Sequence, residues 1–401
     1  MISQQHQSPT EEMYTQNTPV HINLWHKDFW LMAIANFFLS MSVYMLLPVI
    51  PLWLKETFGL SSQWIGTAMA AFGAGVFALG AFCSYLVQRF RRNAVCMWAI
   101  IAMMLSVGSL YYFPFAPLGV GIVLQRLFLG ATFGLAQMVL ASTLVIDTCE
   151  SFQRTEANHS ASWFSRFALA AGPFAGLLIY RQWGADAVWG SSCACALLTI
   201  VLIRLVNFPF KAPEEGVSML SLDRFFLPQG FPLFLQLFLM MAAVGLLLAQ
   251  AVTPHFFLFL MVGFWIALLA QHYVFRNAEI KSEAVTALLL LIAAQLTTLF
   301  ASHQSAADIL CPVLIGTGIG IIGSRFLLFF IKLSKHCQRG TSQSTYSLAW
   351  ESGIAIGYGC CFGLFSIHAR MAVLTSLALT VMSLALYVLF THRWFLKHKN
   401  R

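Results

Sequence analysis

Four ionisable side chains, Arg126, Arg166, Arg325 and Glu351, fall inside stretches that are otherwise apolar. An ionised group at mid-depth in hydrocarbon costs roughly 2.5–3.5 kcal/mol, so four facing lipid would cost about 10 kcal/mol, comparable with the roughly 5–15 kcal/mol that stabilises an entire protein. These residues are therefore expected to point inward, toward a polar cavity or each other. Arg126 and Arg166, each about 12 Å from one end of its stretch at ~1.5 Å per residue, lie near the midplane and favour an anionic or zwitterionic, partly apolar solute. Arg325 and Glu351 each sit about 10 Å from the ends of neighbouring stretches, and this equal depth predicts an ion pair. Such a pair serves either as a static bridge or as a proton-linked element.

Weaker polar signals accompany them. Asn36, Ser40 and Tyr44 recur at i, i+4 and i+8 and form a stripe on one helix face; Arg126 and Gln137 are about three turns apart; Gln236 and Gln250 follow later. The candidate substrate-binding residues are thus Asn36, Tyr44, Arg126, Gln137, Arg166, Gln236 and Tyr358. The candidates for proton coupling are Glu351, Arg325 and Asp147, with Asp308 a lesser one. Each amide serves equally well in interhelical hydrogen bonding, worth about 0.6–2 kcal/mol. Trp163, Trp265 and Tyr358 suit stacking on an aromatic ligand or ordinary packing, and His255, His303 and His368 are able to titrate near neutrality or simply to be solvated.

Twelve apolar stretches of membrane-spanning length position these residues: 28–54, 62–87, 93–113, 118–145, 158–180, 187–206, 231–252, 255–275, 284–302, 308–331, 344–366 and 372–392. An even count puts both termini on one side. Of the 23 Lys and Arg, only Lys55, Arg181 and Arg370 fall in loops on the other side, and Arg126, Arg166 and Arg325 lie within spans. This bias makes both termini cytoplasmic. The longest connection, polar and Pro-containing, divides the spans six and six. The expected organisation is a polar tail (1–27), a first half (28–206), a linker (207–230), a second half (231–392) and a basic tail (393–401). Gly130 and Gly134 recur as Gly316 and Gly320, and Arg166 and Gly172 align with Glu351 and Gly357 at nearly the same offset. Two related halves are the reading.

Composition agrees. With 59% hydrophobic and 9% charged residues the chain is neither a water-soluble globule nor disordered. The +8 formal charge is scattered over short loops and does not indicate nucleic acid. The nine Cys form no CxxC pair, so neither disulfides nor a metal site is expected. No HExxH, GxSxG or Walker-type sequence occurs, which speaks against an enzyme or an ATP-driven pump; no cofactor is expected.

Three local patterns complete the reading. Ser84 to Asn93, between spans 2 and 3, keeps Leu86, Arg89 and Arg92 but carries Gln88. Arg126 is followed by Gly130 and Gly134. Span 5 contains Gly172-Pro173-Phe174-Ala175-Gly176. Over residues 28 to 392 the chain resembles the major facilitator superfamily, and the span-5 pattern is similar to that of its drug and metabolite antiporters. The resemblance implies an all-α membrane protein with twelve transmembrane helices in two six-helix halves, working by alternating access in the inner membrane. It also implies a charge relay beside spans 2 and 3 in which Gln88 stands where the family has an acid. The function expected is proton-coupled efflux of a small organic solute by a monomer in contact with membrane lipids. Uptake, facilitated movement and lipid or lysolipid translocation are the alternatives.

Overall fold

A computed structural model of the chain describes residues 23–208, 216–275, 279–301 and 304–400. Most of the polar tail (1–22), part of the linker (209–215) and His303 lie outside that set. Among the described residues, ten helical stretches are long and apolar enough to span a membrane. We number them in chain order with two adjustments. They are α1 (Lys27–Phe58), α2 (Ser62–Arg89), α3 (Arg92–Tyr112), α4 (Leu118–Asp147), α5 and α6 (together Arg154–Arg204), α7 (Pro228–Leu248), α8 (Pro254–Tyr273), α9 (Ile280–Phe300), α10 (Ser305–Leu333) and α12 (Ala369–His398). The α5–α6 run turns back at Gly184, whose φ of 81° is open to glycine at little cost. The twelfth pass, α11 (Arg339–Leu364), is the polar one, rich in Ser and Thr.

The twelve helices make two six-helix halves. In the first, α1 packs on α5 and α2 on α4; in the second, α7 packs on α11 and α8 on α10. The halves meet where α2 touches α11 and α5 touches α8. Glycine sets the closest crossings. A Cβ at Gly130 would run into the Phe72 carbonyl and lie 3.1 Å from the Gly75 Cα, and one at Gly316 would run into the Leu260 carbonyl and lie 3.0 Å from the Gly263 Cα. One backbone-to-backbone crossing therefore occurs once per half, α2 on α4 and α8 on α10. This is the structural form of the glycine repeat.

The break read between 252 and 255 is a true connection, since α7 ends at Leu248 and α8 starts on Pro254, where a missing N–H costs nothing. Two other boundaries differ from expectation. The α9 helix begins at Ile280, so Glu283 belongs to the span. The basic tail is helical as far as His398, because Phe395 is buried against Phe329 with ring centres 4.5 Å apart.

Candidate functional site

At the centre, α1, α4 and α11 bring Tyr44, Gln137 and Glu351 together. The Tyr44 hydroxyl donates to Glu351 Oε1 at 2.5 Å and the Gln137 amide donates to the same oxygen at 3.1 Å. All three are buried, and among the described residues Glu351 has no cationic partner. The expected Arg325–Glu351 pair is not formed. Arg325 turns toward α9, where its Nε donates to Glu283 Oε2 at 2.8 Å and its Nη2 sits against Oε1. Equal depth on adjacent helices did not place the two on facing sides. Glu283 is fully buried and completes a pair already neutral.

The two midplane arginines are enclosed, each 1% exposed, and neither forms an ion pair among the described residues. The Arg126 guanidinium lies over the Phe72 ring at 4.9 Å, and its Nε and Nη1 have no hydrogen-bond partner. Arg166 lies over the Trp163 ring at 4.6 Å and donates from Nη2 to Ser162 Oγ at 2.9 Å, leaving its Nε and Nη1 unpartnered. A Cβ at Gly323 would stand 2.8 Å from Arg166 Nε, 2.8 Å from the Trp350 ring and 2.9 Å from the Tyr346 hydroxyl. Glycine there keeps open the spot on which these groups converge. Buried donors without acceptors cost on the order of 1–3 kcal/mol each, more for charged ones. An anion is the natural chemical complement of such donors.

The remaining candidates fall elsewhere. Asn36 donates to the Ala161 carbonyl at 3.0 Å, with Oδ1 unpartnered, and so ties α1 to α5 next to Ser162, the partner of Arg166. Gln236 donates to the Ser383 carbonyl at 2.8 Å and accepts from Thr391, which places it in the α7–α12 contact. Tyr358 donates to the Leu248 carbonyl at 3.1 Å, away from the central group. Asp147 is paired with Arg92 across the ends of α3 and α4. His255, Gln250 and Asp308 line a separate cavity of about 530 Å³ between α7, α8, α9, α10 and α12 on the face opposite the termini.

Two features escaped the sequence reading. One is a polar chain across three helices, in which His159 Nε2 lies 2.5 Å from Ser324 Oγ and Ser324 donates to Gln271 at 2.8 Å. The other is a latch on the face that carries the termini. Asp223, from the linker, accepts from Ser84 of α2 and Thr341 of α11, both at 3.2 Å. Arg224, held at φ 58°, donates its backbone N–H to Thr341 Oγ1 at 2.9 Å and its Nη1 to Thr143 of α4 at 2.8 Å. A linker carboxylate thus joins the two halves next to Gln88, which itself donates to Ser84 at 2.9 Å. The run of Thr and Ser at 341–347 was the readable signal, since nearly all of it is buried.

Replacing Thr341 by Val removes two of the bonds that bridge the halves. At about 1 kcal/mol each, this is expected to raise the alkylation rate of a cysteine introduced by Ser142→Cys, buried against Gly340, about 30-fold. An unchanged rate would mean that the latch does not hold this face shut.

Comparison with known proteins agrees with the architecture. The family description Major Facilitator Superfamily matches residues 32–358. The fold is similar to that of a nucleoside transporter (12% identity, TM-score 0.65, covering 91% of this chain and 100% of the other). It is also similar to a bacterial homologue of the iron transporter ferroportin in an outward-facing state (14%, 0.63, 92% and 99%) and to an auto-inhibited POT family peptide transporter (12%, 0.66, 91% and 97%). No protein of curated function matches the chain by sequence.

Proposed function

Because the chain belongs to the Major Facilitator Superfamily and is a membrane transporter, we propose that it moves a small organic anion or zwitterion outward by alternating access, coupled to protons. One observation carries the reading: the bundle encloses two guanidinium groups without acidic partners among the described residues and, at its centre, a carboxyl whose partners are neutral. The arginines supply charge and unpartnered donors for the solute. Glu351 is the proton carrier, since a carboxyl held only by a hydroxyl and an amide can change its charge without breaking an ion pair. Arg325 and Asp147 already have partners and take no part in the coupling. The bias of Lys and Arg toward the face of the termini supports a cytoplasmic placement for that face in the inner membrane, and the span-5 glycine pattern supports export.

The test is flux in proteoliposomes. Purified protein screened by thermal shift against metabolites, amphipathic drugs and lysolipids identifies the solute, because a ligand that binds only the native state raises its melting temperature. That solute is then expected to accumulate against its gradient when the lumen is acid. Accumulation only under the opposite pH gradient would replace export by uptake, and movement indifferent to pH would remove the proton.

A further inference from the structure

Between α1, α5 and α8 a groove of about 690 Å³ opens sideways, at the depth of the hydrocarbon. Its walls include Ile34, Phe38, Trp163, Phe167, Ala171 and Trp265, and among the described residues no carboxylate, lysine or arginine lines it. Phe167 and Trp265 meet across the two halves with ring centres 4.9 Å apart, and Trp265 is 54% exposed. From His159 to Ala171 the groove follows α5 for about 18 Å, close to the ~15 Å of one leaflet. It lies in the leaflet next to the termini, since α5 starts from that side.

Polarity changes along this length. The end near the membrane surface holds His159 and Ser160, and the deeper end only apolar groups. Trp163 is both a wall of the groove and the ring on which the Arg166 guanidinium rests. Its own Nε1 is buried without a partner, as are Nε and Nη1 of Arg166. Ser162, which holds Arg166 from one side, donates to the His159 carbonyl at 2.7 Å, so guanidinium and groove mouth are linked through one turn of helix. An oily slot of leaflet length beside a buried cation and three unsatisfied N–H groups has the polarity of an amphiphile lying in that leaflet.

We propose that this groove binds a single-chain anionic amphiphile, its acyl chain along α5 and α8 and its acidic head at Trp163, on whose ring the Arg166 guanidinium rests. The inference rests on the transport reading for its use of Arg166, and names the substrate class of that site. Charge complementarity selects the anion, since the cation has no counter-ion among the described residues.

The probe is a diazirine-bearing palmitic acid, cross-linked to the protein in nanodiscs of zwitterionic lipid and mapped by peptide mass. Saturable labelling is expected on residues 159–171 and 261–268. Palmitate should compete at least about tenfold better than hexadecanol, which lacks the charge. Arg166→Gln should weaken labelling by a similar factor, and Ala171→Phe, which fills the groove and leaves the cation in place, should abolish it. Equal competition by hexadecanol overturns the proposal on the wild-type protein alone, whatever the variants do. Labelling that persists in a folded Ala171→Phe variant overturns it as well. Equal competition by two-chain phosphatidylglycerol would show that the groove holds bilayer lipid. Binding is read without flux: palmitate that binds but no solute that moves would sink only the transport reading, whereas a hydrophilic anion that moves while palmitate never labels would sink only this one.

Discussion

Glu351→Gln is expected to leave the protein folded and to erase the dependence of solute accumulation on a pH gradient. The new side chain keeps a carbonyl oxygen where Oε1 now accepts from Tyr44 and Gln137, so both bonds survive and no ion pair is lost. What disappears is the capacity to carry a proton. For each coupled proton, a one-unit gradient supports up to about tenfold accumulation, because that ratio corresponds to about 1.4 kcal/mol. In the variant accumulation should fall to unity, while exchange of labelled for unlabelled solute without a gradient continues. Wild-type accumulation in the variant would remove Glu351 from the coupling.

Arg126→Met should separate function from stability in the opposite sense to an ordinary core substitution. The guanidinium is enclosed, unpaired, and short of partners at Nε and Nη1, so its burial costs free energy that methionine, a flexible side chain suited to the space against Phe72, does not incur. The variant is expected to melt at the same temperature as the wild type or a few degrees higher. Its affinity for an anionic solute should fall about 30-fold or more, the consequence of removing one partner from a buried charge pair. A melting temperature several degrees lower together with undiminished binding would make Arg126 a structural residue. Active sites commonly give up stability in this way for the sake of function.

The spans were legible because hydrocarbon thickness dictates their length, and the two-half plan because glycines at close crossings leave a fixed spacing behind. Depth along a helix was legible too, which is why Arg126, Arg166 and Glu351 are found well inside the bundle. Direction around the helix was not. Arg325 and Glu351 match in depth, yet one faces α9 and the other faces α1 and α4, a distinction that position along the helix does not encode. Glu283 was hidden by a boundary: the apolar run starts after it, whereas the helix starts before it. Gln236 and Tyr358 illustrate a related limit, since an amide or phenol reads the same whether it meets a neighbouring carbonyl or a solute. Asp223 was the least accessible of all. Its place between Ser84 and Thr341 depends on the path of a connection, and hydrophobic periodicity carries no information about that path.

The contacts between α2 and α11 differ in kind at their two ends. Near the termini they are hydrogen bonds to a linker carboxylate, and at the far end they are bare main chain, where a Cβ on Gly66 would come within 2.6 Å of the Gly359 carbonyl oxygen and the Gly363 Cα. Separating the first exchanges one set of dipoles for water, whereas separating the second only opens a crevice in tightly fitted atoms. Ionic strength should therefore act on one gate and hydrostatic compression on the other, so that two simple physical variables, applied to the same sample, probe the two gates separately.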